Sequence, residues 1–111
     1  MGFGEISTKM NYIPIIQGDT VNLNFNLRYD NEPVTDVVWA KFSSADISAV
    51  IELENIGEGL FNLFIASATT DNYTVGKYHY DVTVKFTNTS IDIVTFIHNG
   101  VLEIKEKNNE V

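Results

Sequence analysis

The chain has 111 residues, 44% of them hydrophobic, no cysteine and a formal net charge of −8. A chain of that length holds one domain. The missing cysteine excludes disulfides, thiolate zinc sites and cysteine nucleophiles together, and the acidic excess works against phosphate backbones and anionic membrane surfaces as partners.

Met1 to Asn11 carries two glycines and no hydrophobic period, so it reads as an N-terminal arm (residues 1–11) ahead of a β-sandwich domain (12–105) and a polar C-terminal tail (106–111). It also has neither the basic nor the apolar region of a secretory signal. Phe3, Ile6, Met10 and Tyr12 give the arm apolar anchors that a linker does not need, and they are the candidate partner-contact residues. Such an arm can add a strand to a neighbour's open edge. Tyr12 to Ile16 is a short apolar run interrupted by Pro14, which marks an edge strand because proline offers no N–H to a ladder.

Gln17-Gly18-Asp19 is turn chemistry. After it, Val21, Leu23, Phe25 and Leu27 alternate with Asn22, Asn24 and Asn26. A period of two puts one row toward a core and the other toward water. Tyr29 to Pro33 is a turn. Asp36 to Ser43 is the next strand, with Val38, Ala40 and Phe42 on one side and Val37 and Trp39 on the other. Ile47, Ala49, Ile51 and Leu53 alternate again after a break at Ser44-Ala45-Asp46.

Asn55 to Gly59 is the strongest turn signal. Phe61, Leu63 and Ile65 then point inward, because Asn62 belongs to the opposite face. Ser67 to Val75 is polar, with room for one helical turn. Tyr78, Tyr80, Val82, Val84 and Phe86 mark a second long strand, closed by a turn at Thr87 to Ser90. Ile91 to Ile97 continues through Asn99-Gly100 into Val101 to Lys105, where the glycine reads as a β-bulge inside one strand. About seven short strands with regular turn signals describe an all-β sandwich.

Little here carries chemistry. His79 and His98 stand at outward strand positions, with no second histidine at ligand spacing, so no metal site is expected. Asp30, Glu32 and Asp36 surround a turn without the oxygen count or glycine of a calcium loop. No Gly-x-Ser-x-Gly elbow accompanies the histidines, so no catalysis and no cofactor are expected. Trp39, with Tyr12, Tyr29 and Tyr73, is weighed as a sugar platform and assigned to the core, by analogy with the buried tryptophan of immunoglobulin domains.

Three landmarks belong together: Ile16-Gln17-Gly18-Asp19-Thr20 followed by Leu23, Phe25 and Leu27; Gly76-Lys77-Tyr78-His79-Tyr80-Asp81-Val82; and Gly100-Val101-Leu102-Glu103-Ile104. In this order they resemble the small immunoglobulin-like β-sandwich domains of tailed bacteriophages, such as the N-terminal domain of the upper baseplate protein family. The resemblance implies an immunoglobulin-like antiparallel sandwich and a non-enzymatic structural component of the virion. Its partners would be other virion proteins of the capsid or tail and baseplate, met in many copies, with neither nucleic acid nor membrane among them. The sequence departs from upper baseplate proteins in its N-terminal arm and in lacking their long C-terminal extension, which leaves head decoration open beside a tail, baseplate or fibre adaptor. A carbohydrate-binding module using exposed aromatics, with a glycan as ligand, is the alternative.

Overall fold

The structure is a computed structural model that describes Glu5–Ile6 and residues 11–107. In chain order the elements are β1 (Glu5–Ile6), β2 (Tyr12–Ile16), β3 (Val21–Tyr29), β4 (Glu32–Pro33), β5 (Val37–Ser44), β6 (Ala49–Glu52), β7 (Glu54–Gly57), β8 (Leu60–Ile65), a one-turn helix α1 (Ser67–Thr70), β9 (Gly76–Phe86) and β10 (Ile93–Lys105). They form two sheets. One runs β1-β3-β8-β7, with β4 paired to the end of β3, and the other runs β2-β10-β9-β5-β6.

Strand β3 follows the alternation. Val21, Phe25 and Leu27 are buried, Leu23 packs half-buried against the same core, and the three asparagines are exposed. The strand ends where Asp30 and Asn31 both take positive φ (53° and 66°), the two-residue turn whose twist suits a hairpin, and the chain returns as β4. Opposite it, Phe61, Leu63 and Ile65 of β8 are buried. Gly59 opens β8 because nothing larger fits: its φ is +84°, and an added Cβ would lie 2.7 Å from the Leu27 carbonyl oxygen.

The second sheet supplies the other half of the core from Ile13 and Ile15 of β2, Ala40 and Phe42 of β5, Tyr80, Val82 and Val84 of β9, and Leu102 and Ile104 of β10. Three register shifts interrupt it, one in β5 and two in β10, the first of the latter between Thr95 and Ile97. In β5 the register with β9 slips between Val37 and Trp39, so Val37 packs on the core while Val38 is 56% exposed. Val38 therefore does not share the side of Ala40 and Phe42 as expected, because the bulge inverts the parity ahead of Ala40. In β10 the register slips between Ile97 and Gly100, the bulge expected at Asn99-Gly100, and the strand continues to Lys105. An added Cβ at Gly100 would sit 2.5 Å from Cε1 of Tyr80.

The topology is that of an immunoglobulin-like sandwich, with the first strand divided between the sheets. β1 pairs antiparallel with β3, and β2 pairs with β10. That second pair is parallel, so the sandwich is not purely antiparallel as expected. The physical reason is direction: β2 lies at the edge beside the last strand and runs the same way as it does. The Tyr78 hydroxyl donates to the Thr74 carbonyl at 2.8 Å, the tyrosine corner of such domains.

Tyr80, two residues on, stands where antibody domains carry their second disulfide cysteine. Phe42 stacks on it, with centroids 5.1 Å apart. This aromatic pair, from adjacent strands of one sheet, fills the core at that point. Burial also pushes the Tyr80 phenol well above its ordinary pKa.

Candidate contact surfaces

The four residues proposed for partner contact do not form one described site. Phe3 and Met10 lie outside the described residues. Ile6 pairs through its backbone with Leu27, as its neighbour Glu5 does with Arg28. Tyr12 opens β2, 44% exposed, and its hydroxyl donates to Glu103 Oε1 at 2.7 Å. That bond raises the Tyr12 pKa, with smaller contributions from desolvation and the Glu103 charge. It lowers the Glu103 pKa, assisted by Lys77 and Lys105. The edge strand β2 carries Pro14 exposed, consistent with proline at a place that pairs on one side only.

Trp39 corrects the core assignment. It is half-buried on the outward face of the β9 sheet, opposite Lys85, with the Lys41 ammonium 4.4 Å from its ring centroid. The inward aromatic of β5 is Phe42, fully buried. Residue type misled here: tryptophan suggested the core, whereas strand parity after the bulge put the ring outside. Among the described residues no aromatic ring pairs with the outward tryptophan. Tyr12 lies opposite Val101, which faces His79, six residues along β9 from Lys85, a separation of roughly 20 Å. Tyr29 packs on Phe86 with centroids 5.5 Å apart, and Tyr73 is half-buried beside α1. The four rings do not make one platform.

A depression of about 300 Å³ lies at one end of the β9 sheet between Ser43, Asp46, His79, Asp81 and Asn99. A smaller one of about 150 Å³, lined by Asn72, Tyr73 and Tyr78, adjoins it across Asp46. Its carboxylates serve the backbone. Asp46 Oδ2 accepts the His79 N–H at 3.0 Å, because β5 has ended and left that ladder position open. Asp81 Oδ1 accepts the Asn99 N–H at 3.0 Å, the donor freed by the β10 bulge. Both imidazoles are exposed beside these carboxylates, His79 Nδ1 at 3.9 Å from Asp46 and His98 Nδ1 at 3.3 Å from Asp81. Among the described residues no three metal-ligating side chains converge, and no helix is long and apolar enough to cross a membrane. The arrangement can hold a loop and a bulge in place.

The outward face of the β3–β8 ladder has different chemistry. Asn22, Asn24 and Asn26 stand opposite Phe64, Asn62 and Leu60. Asn62 Nδ2 donates to Asn22 Oδ1 at 2.7 Å and to Asn24 Oδ1 at 2.9 Å. Phe64, 54% exposed, lies at the end of this amide network. The asparagine alternation announced the face, but the ties through Asn62 required the strand register.

One tie had no sequence signal. Thr70 of α1 is fully buried, accepts the Gly18 N–H at 3.1 Å and lies 2.7 Å from the Asp19 carbonyl oxygen. Gln17 Nε2 donates to the Tyr73 carbonyl at 2.6 Å alongside. These bonds fasten the helix to the turn before β3. No protein-family model matches the chain, and no curated protein matches it in sequence.

Proposed function

We propose that this protein is a non-enzymatic structural component of a bacteriophage virion, acting through protein–protein contacts as a head auxiliary protein or as a tail, baseplate or fibre adaptor. The observation that carries the reading is an immunoglobulin-like sandwich whose polar clusters are spent on its own backbone, leaving sheet faces, edges and the N-terminal segment as its working surfaces. The resemblance of its three landmarks to phage sandwich domains supplies the setting. Assembled particles repeat each contact by symmetry, so individually weak contacts suffice. Partners are capsid or tail proteins, and residues 1–11, with Phe3, Ile6, Met10 and Tyr12, contribute the arm.

Deleting residues 1–11 tests this. The truncated protein is expected to fold, shown by an unchanged β-type circular dichroism spectrum, and to enter particles less efficiently, measured by quantitative mass spectrometry of purified virions. Normal incorporation moves the contact elsewhere on the sandwich. Absence of the full-length chain from virions ends the reading.

A further inference from the structure

The six outward residues of the β3–β8 ladder carry no charge, in a chain whose formal charge is −8. We infer that this face is a two-fold contact surface between copies of this chain. Three properties single out a second copy as the occupant.

The first is self-complementarity. A two-fold contact presents each group to the same surface on its partner. A primary amide both donates and accepts, so a row of asparagines satisfies an identical row, as rows of carboxylates or ammonium groups do not. The second is charge. Two copies of an acidic protein repel, and this face lets them approach without setting like charges together. Its borders carry Arg28 on β3 and Glu54 on β7, which are of opposite sign. The third is composition. Phe64, together with half-buried Leu60, provides an apolar element among the amides, and interface centres favour aromatics and exclude charge.

Order favours the same outcome. Asn62 already holds Asn22 and Asn24 in place (2.7 and 2.9 Å), so less side-chain freedom is lost on contact. The face is two strands wide and roughly 20 Å long, well short of the ~800 Å² per partner of a stable complex. A free pair is therefore weak, formed only at high concentration. This inference concerns the isolated chain in solution and stands apart from the virion reading.

Amide-resolved NMR spectra of the full chain, recorded from micromolar to millimolar concentration, test it. The side-chain amides of Asn22, Asn24 and Asn62 and the backbone amide of Phe64 are expected to shift together with concentration, while the Trp39 indole stays fixed. Asn24→Asp combined with Asn62→Asp sets like charges across the two-fold and should abolish the shifts with the rest of the spectrum intact. Phe64→Ser should weaken association several-fold. Concentration-independent spectra, shifts confined to the Trp39 face, or shifts that survive the double substitution would overturn the inference. So would maltohexaose producing the same shifts in a dilute sample, which would mark the face as a sugar platform.

Discussion

The two sheets of this sandwich share one inward rule and follow opposite outward ones. Both bury alternate aliphatic and aromatic side chains against each other, Phe25 and Leu63 from one, Phe42 and Val82 from the other. Outside, the β9 sheet is ionic and aromatic, with Lys85 paired to Asp92, Lys41 over Trp39, and Tyr12 bonded to Glu103. The β3–β8 ladder is neutral and amide-rich. The inward row of a strand answers to the core it shares, while the outward row is free to be chosen for solubility or contact. Differences between the sheets therefore belong to what the molecule meets, not to what holds it together.

The largest expected effects test the shared inward rule. Phe25→Ala and Phe42→Ala should each cost about 3–5 kcal/mol, by loss of buried area and the cavity left behind, read from denaturant unfolding. If one costs less than half of the other, the sheets do not contribute equally to a common core. Next come the two glycines at points of close approach. Gly100→Ala forces Tyr80 aside and should cost about 1–3 kcal/mol as overpacking. Gly59→Ala should cost at least as much, because its contact is a backbone oxygen and its φ is positive.

Outward substitutions should matter less. Asp81→Ala strands the Asn99 N–H at the bulge and should cost about 0.5–1.5 kcal/mol. Trp39→Ala loses the exposed cation–π contact with Lys41, about 0.5–1 kcal/mol. A loss from Trp39→Ala as large as that from Phe42→Ala would return the tryptophan to the core.

Two pH effects sharpen the same contrast. Tyr80, held neutral by burial, contributes stability that is fully present below the ordinary tyrosine pKa of about 10. That contribution declines as pH rises further, because only the unfolded chain then ionises the group. Tyr80→Phe should flatten the alkaline fall in denaturation midpoint. On the outside, the Tyr12 bond lowers the Glu103 pKa, so its small contribution is present above the ordinary carboxylate range and fades as pH drops through the lowered value. Tyr12→Phe should raise the Glu103 pKa in an NMR titration and leave the core unchanged.

Period two, together with turn residues, determined from sequence alone that this is an all-β sandwich. It also determined which sides of β3, β8 and β9 face inward, because a strand's side chains must alternate and only one row can leave water. The Asn99-Gly100 bulge and the edge position of Pro14 were equally legible, since both follow from backbone chemistry local to the residue. Tertiary structure decided what depends on a neighbour. The slip at Val37 inverted the parity that placed Val38, and plain alternation with the buried Ala40 and Phe42 put Trp39 outside despite its residue type. The direction of β10 made its pairing with β2 parallel. Thr70 became a buried tie only because α1 folds onto the turn at Gly18. The asparagines of β3 became one network only once Asn62 came into register beside them. A periodic pattern specifies the orientation of each side chain along its own strand, whereas its partners are set by which strand lies alongside and in what register.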